Sequence, residues 1–154
     1  VIPDVQIAPL QGMFAAADWQ VLTCKWGRRI HALFVQPGGE ELRQRLESMA
    51  NEEYQRLLRS HPDEVHARLL GEEPAPALAQ LVQTLSPHEL AASIRDLGGH
   101  DIHLLLETYR EIDPERPTVI FAYTVKGRGL ATEGHPNNHA AQLTEAQMGR
   151  RALS

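Results

Sequence analysis

The chain of 154 residues, with 42% apolar and 23% charged residues, is long enough for one domain with a hydrophobic core. Its net charge of −5 and its lack of a dense basic face argue against nucleic acid as a partner. No apolar run approaches the roughly 18 residues of a membrane span, so no membrane association is expected. The single cysteine, Cys24, excludes a disulfide framework and predicts a cytoplasmic location. The first residues, Val-Ile-Pro, lack a methionine, which predicts a fragment of a longer protein.

The chain begins with a predicted helix and a predicted strand. Pro9 can open a helix whose apolar positions are Leu10, Met13 and Phe14. The strand covers residues 19–26 and is closed by Gly27.

A long helical stretch follows, over residues 28–97. Its apolar periodicity and its breakers predict six helices, the last of which starts at Ser86-Pro-His-Glu89. In that capping signature the serine hydroxyl can accept hydrogen bonds from the first amides of the helix, and the proline fits the first helical position. Glu89 can reach back to the capping residue. The helix should stop at Gly98-Gly99.

The last predicted elements are a helix and a strand. Asp101 is placed to cap a helix with an apolar face that includes Ile102, Leu106 and Tyr109. Residues 118–125 are almost continuously apolar or β-branched, which predicts a parallel strand covered on both faces.

The order of these elements predicts an α/β domain. A helix between two buried strands implies a crossover that joins parallel strands, so Gly27 and Lys126 should leave the same carboxyl edge of the sheet. Ligands bind at such edges. Beyond the second strand lies the run Lys126-Gly-Arg-Gly129, in which two cations suit a phosphate-like anion and two glycines allow close approach of the backbone.

Five segments carry a resemblance to a known family. They are Trp19-Gln-Val-Leu, Cys24-Lys-Trp-Gly27, Asn51-Glu-Glu-Tyr-Gln55, Gly98-Gly-His-Asp101 and Thr118-Val-Ile-Phe-Ala-Tyr-Thr-Val-Lys-Gly-Arg-Gly129. In this order they resemble the homodimeric pyruvate dehydrogenase component, a thiamine-diphosphate-dependent enzyme of the transketolase superfamily. The long insertion between Trp26 and Gly98 favours this branch over ordinary transketolases, where the strand runs almost directly into Gly-His-Asp.

The resemblance implies a fold, a reaction and site residues. The fold is part of a doubly wound parallel-sheet domain that binds thiamine diphosphate and magnesium. The intact homodimer would decarboxylate pyruvate, or a related 2-oxo acid, and transfer the two-carbon unit to a lipoyl group on an acyltransferase component. Lys126 matches a lysine near the cofactor's diphosphate, and His139 matches a loop histidine linked to acyl transfer. His100 and Asp101 are expected to be structural, and no metal ligand is assigned.

The family's Gly-Asp-Gly motif for magnesium and diphosphate is missing from the sequence. The expectation is therefore that residues 1–134 form the C-terminal half of the diphosphate-binding domain, with residues 28–97 as a helical insertion, and that residues 135–154 form an active-site loop and linker. Such a fragment should be inactive alone. Two alternatives stay open: a transketolase acting on sugar phosphates, and a non-catalytic split subunit or interaction domain whose helical insertion binds a partner.

Overall fold

A computed structural model describes residues 7–130 together with Glu133, Gln142, Thr144 and Glu145. In this part of the chain eight α-helices accompany two strands. The elements are α1 (Ile7–Ala16), β1 (Gln20–Cys24), α2 (Arg28–Phe34), α3 (Gly39–Ser48), α4 (Asn51–Arg59), α5 (Pro62–Leu70), α6 (Pro76–Gln83), α7 (Pro87–Ile94), a 3₁₀ turn (Gly98–His100), α8 (Ile102–Arg110) and β2 (Thr118–Ala122).

The two strands pair in parallel, as predicted. Gln20 lies opposite Thr118, and Cys24 lies opposite Ala122. The carboxyl ends of both strands therefore meet at one edge, from which the segments after Cys24 and Ala122 emerge together. The α/β class is confirmed in this form: mostly helices around a small parallel sheet.

One helix lies on each face of this sheet. Thr23 accepts a hydrogen bond from Gln11 of α1, whereas the thiol of Cys24 lies 3.0 Å from the hydroxyl of Thr108 of α8. Because successive side chains on a strand point to opposite faces, α1 and α8 must lie on opposite sides of the sheet. A three-layer α/β arrangement results.

The main hydrophobic core lies outside the sheet, among helices α2 to α7. The largest fully buried side chains, Ile30, Leu42, Leu69 and Leu90, all belong to this helical region. Trp26 and Leu97 close it at the sheet side, where they form an isolated antiparallel bridge. The helical insertion predicted for residues 28–97 thus has its own core, while its boundaries as a domain unit stay a prediction.

Local capping signals act as the sequence predicts. The Ser86 hydroxyl accepts a hydrogen bond from the Glu89 N–H, and the Glu89 carboxylate accepts one from the Ser86 N–H, so the capping box is complete. Asp101 caps α8 through the N–H groups of His103 and Leu104.

One expectation about burial was wrong. The strand predicted for residues 118–125 ends at Ala122, and its residues are half-buried or exposed rather than covered on both faces. The apolar stripe of α8 is also exposed: Ile102 is 65% and Tyr109 is 60% accessible. Periodicity correctly grouped these residues on one face, but α8 turns Thr108 toward the sheet and leaves the stripe at its side.

None of the helices in the described part is long and apolar enough to cross a bilayer.

Candidate functional site

A four-residue junction joins the carboxyl ends of the two strands. The N–H of Gly98 donates to the carbonyl of Lys25 at 3.0 Å, and the N–H of Gly99 donates to the carbonyl of Tyr123 at 2.9 Å. The junction also includes His100 and Asp101. We call these four residues the Gly98–Asp101 junction. It therefore fixes the backbone where a ligand of an open α/β sheet is expected.

Close packing explains the two glycines. A Cβ at Gly98 would lie 2.6 Å from the carbonyl carbon of Cys24, and one at Gly99 would lie 2.6 Å from the carbonyl oxygen of Tyr123. Both obstacles are backbone atoms, which cannot rotate away as a side chain can. Only glycine allows the junction to lie directly against both strand ends.

His100 holds the start of the loop that follows β2. Its Nε2 accepts a hydrogen bond of 2.7 Å from the N–H of Val125, which requires Nε2 to be unprotonated. Burial first, and then the positive charge of Arg128, lower the pKa of His100, while Glu133 acts in the opposite direction. The imidazole is therefore kept neutral as a structural acceptor.

Asp101 links three segments through its carboxylate. One oxygen caps α8, and the other accepts hydrogen bonds of 3.0 Å from both the backbone N–H and the guanidinium of Arg28. Burial alone would raise the pKa of Asp101, but the hydrogen bonds from Arg28 and Leu104 outweigh it and lower the pKa to about 2. The helix cap predicted at Asp101 is confirmed.

A second carboxylate also serves the start of α2. Asp96 accepts a hydrogen bond of 2.8 Å from the N–H of Arg29, next to the contact between Arg28 and Asp101. The first turn of α2 is thus satisfied by two side chains from other segments. Its amides serve the fold and do not form an anion site.

The cationic loop begins directly beyond this junction. Val125 is buried, Lys126 is exposed, and Gly127 and Gly129 adopt left-handed backbone angles of φ 72° and 74°. The N–H of Gly129 donates a hydrogen bond of 2.7 Å to the carboxylate of Glu133. One N–H of the loop thus already contacts a carboxylate of the same chain, while the predicted binding of an anionic ligand stays a prediction.

A small cleft of about 260 Å³ lies beside this loop, lined by Leu58, Arg59, Arg95, Val125 and Glu133. The Arg95 guanidinium donates to the carbonyls of Leu58 and Ser60 at 2.8 and 2.7 Å. Because these carbonyls end α4 and Arg95 ends α7, Arg95 joins two helices of the insertion beside the cleft.

A larger cleft of about 440 Å³ opens at the same edge of the sheet. Its walls include Lys25 and Trp26, which follow β1, and Tyr123 and Thr124, which follow β2. Helices α3 and α4 supply the opposite wall, including Glu47 and Tyr54. We refer to it as the Lys25 cleft.

The structure bears differently on the two predicted site residues. Lys126 lies at the carboxyl edge, beside the junction, where a cofactor lysine was predicted; its role stays a prediction. His139, predicted to act in acyl transfer, lies outside the described residues, as do most of residues 135–154.

Sequence reasoning missed Lys25, Arg95 and Glu133. Lys25 directly follows β1, but the predicted strand included it. Arg95 and Glu133 lie within a few residues of the junction and of the Lys126 loop, and no sequence pattern singled them out.

Within the described ranges, no three His, Cys, Asp or Glu side chains are grouped so that they could hold a metal ion. A comparison with models of protein families finds no match, and a comparison with curated proteins finds none either.

Proposed function

We propose that this chain is part of the diphosphate-binding domain of a thiamine-diphosphate-dependent pyruvate dehydrogenase component. The intact parent would decarboxylate pyruvate, or a related 2-oxo acid, and acylate a lipoyl group on an acyltransferase partner. The resemblance of the five sequence segments supplies the reaction and the partners. The fragment alone would lack activity, because the Gly-Asp-Gly motif is not in it.

The observation that carries this proposal is the contact between two of the resembling segments. The Gly98–Asp101 junction holds the segment after β2 through two hydrogen bonds. The Gly99 N–H donates to the Tyr123 carbonyl, and the Val125 N–H donates to His100. The Lys126 loop starts directly after Val125. Segments that are distant in sequence thus form one support at a carboxyl edge, where α/β sheets bind ligands.

The loop suits the anionic end of the cofactor. Glu133 already brings a carboxylate to the Gly129 N–H at 2.7 Å, so its oxygen stands in for an anionic ligand oxygen. Lys126 and the Gly129 N–H would hold the diphosphate, and His100 would keep the loop in position. When bound, thiamine diphosphate supplies the electron sink for loss of carbon dioxide.

Exposed apolar surfaces support the view that the chain belongs to a larger sheet. Parallel sheets are normally buried, yet the two strands here are half-exposed. Large exposed apolar side chains concentrate on the two helices beside the sheet, at Leu10 and Met13 of α1 and at Ile102, Leu106 and Tyr109 of α8. Further strands and helices of the same domain would cover them.

The same distribution weakens the alternative of an interaction module that binds through the helical insertion. Among the large apolar residues that are exposed in the described chain, Val35 alone lies between α2 and α7. The insertion buries its apolar residues in its own core, so it offers little apolar surface to a partner.

The experiment uses the native gene product and measures thiamine-diphosphate-dependent pyruvate decarboxylation with an artificial electron acceptor. Lys126→Ala should weaken cofactor binding and depress the activity. The matched control is Arg116→Ala, which removes a cation at the opposite end of β2, where Arg116 pairs with Asp113. A native product that shows no cofactor-dependent activity, or equal effects of both variants, would refute the proposal.

A further inference from the structure

The Lys25 cleft contains an ammonium group whose hydrogen-bonding capacity is unused within the described residues. Lys25 Nζ lies 3.9 Å from Glu47, too far for a hydrogen bond, and its side chain is 31% exposed. Its other contacts are with the ring faces of Trp26 at 4.7 Å and Tyr123 at 5.9 Å. Aromatic faces attract a cation but accept no conventional hydrogen bond.

Partial burial of this ammonium group favours the binding of an anion. Burial lowers the pKa of Lys25, and the nearby Glu47 offsets only part of that effect. A partly desolvated cation with three N–H donors gains from a carboxylate that it can contact directly. Glu47 remains beyond hydrogen-bonding distance and therefore leaves the donors available.

The remaining walls of the cleft are mainly apolar or aromatic. Leu46, Met49 and Leu58 lie beside the rings of Trp26, Tyr54 and Tyr123. Trp26 Nε1 and the Tyr54 hydroxyl are buried in these walls without a hydrogen-bond partner in the described part of the chain. With a volume of about 440 Å³, the cleft falls within the range of about 300–1,000 Å³ typical of small-molecule sites.

We propose that the Lys25 cleft binds a small monocarboxylate with an apolar body, with its carboxylate on Lys25 and its hydrocarbon part against Trp26 and Tyr123. The cleft lies beyond the carboxyl ends of both strands, where ligands of α/β sheets bind. Glu47, 3.9 Å from Lys25, is the nearby anion with which the ligand carboxylate would compete. The inference does not depend on the proposed thiamine chemistry, because none of these residues belongs to the Lys126 loop.

Octanoate is the probe, and Trp26 is the reporter. The chain has two tryptophans, so a Trp19→Phe background assigns the fluorescence change to Trp26. Octanoate should bind saturably, while octanol and octylammonium should bind at least about tenfold more weakly, because only the carboxylate can pair with Lys25.

Two substitutions with opposite expected effects test the assignment. Lys25→Gln should weaken octanoate binding about tenfold, and Glu47→Gln should strengthen it several-fold by removing the competing carboxylate. Arg116→Gln, at the far end of β2, is the control and should leave the affinity unchanged. If Lys25→Gln fails to fold, the Glu47→Gln result alone decides.

Three results would overturn the proposal: octanol binding as tightly as octanoate, no saturation at millimolar octanoate, or a Glu47→Gln affinity equal to that of the parent. In each case Lys25 would serve only to cover Trp26. Thiamine diphosphate binding is measured separately, so this outcome would leave the proposed function untouched.

Discussion

The backbone N–H of Val125 donates a hydrogen bond of 2.7 Å to Nε2 of His100, so a neutral imidazole supports the loop that carries Lys126. His100, in the Gly98–Asp101 junction, thereby holds Val125, which lies in the segment after β2. This contact makes the position of the loop sensitive to the protonation of one histidine.

The first prediction is therefore a dependence of stability on pH. Because burial and Arg128 lower the pKa of His100 below its ordinary 6.5, the unfolded state binds a proton more readily than the folded state. The resulting contribution to the unfolding free energy is complete above pH 6.5 and is lost as the pH falls through the lowered pKa. Urea unfolding at pH values on either side of 6.5 measures it.

His100→Gln is the control for this experiment, because the glutamine side chain also has an acceptor oxygen but does not titrate near neutral pH. The variant should show a smaller loss of stability on acidification than the parent. An unchanged pH dependence would assign the effect to other groups.

Asp101 provides the second prediction. Asp101→Ala removes the α8 cap and both contacts with Arg28, and should lower the free energy of unfolding by about 2 kcal/mol. Asp101→Asn keeps an acceptor for the cap and should recover a large part of that loss. Ser86→Ala, which removes a cap without an arginine contact, should cost about 1 kcal/mol. If Asp101→Ala cost less than Ser86→Ala in urea unfolding, the link to Arg28 would contribute nothing.

The third prediction concerns the glycines of the junction. Gly98→Ala and Gly99→Ala would force a Cβ to within 2.6 Å of backbone atoms at the strand ends, so each should lower the melting temperature substantially. Gly12→Ala is the matched control: it lies inside α1 with open space around it, and should stabilise the helix by up to about 1 kcal/mol. A junction variant as stable as the parent would show that the strand ends can separate freely.

The exposed stripe of α8 yields the fourth prediction. Leu106→Gln should change the stability of this chain by no more than about 0.5 kcal/mol, because Leu106 is already 51% exposed. Leu90→Ala, at a fully buried position in the helical core, should cost about 3 kcal/mol. In the intact parent, however, Leu106→Gln should be clearly destabilising if the rest of the domain covers α8. If Leu106→Gln changed the stability of the intact parent as little as that of this chain, the proposal that the chain belongs to a larger sheet would be contradicted.

The sequence predicted the features that depend on nearby residues. The Ser86 capping box and the Asp101 cap are local chemistry, and the parallel pairing follows from the crossover. The exposure of Ile102 and Tyr109 was not predictable, because periodicity identifies residues that share a face but not what covers that face. Likewise, the bond between His100 and Val125 joins segments whose approach only the fold determines.

The last prediction concerns His139 in the pyruvate dehydrogenase component that we propose as the intact parent. A histidine that serves only the transfer to the lipoyl group acts after carbon dioxide has left, so its removal should spare decarboxylation. His139→Ala should lower the turnover of the whole complex by roughly 10- to 10⁴-fold, the scale of a lost acid–base group, while decarboxylation measured with an artificial electron acceptor should fall much less. Lys126→Ala should instead depress both assays together by weakening cofactor binding. A histidine variant that lost both activities in parallel, with normal cofactor affinity, would assign His139 to the decarboxylation step.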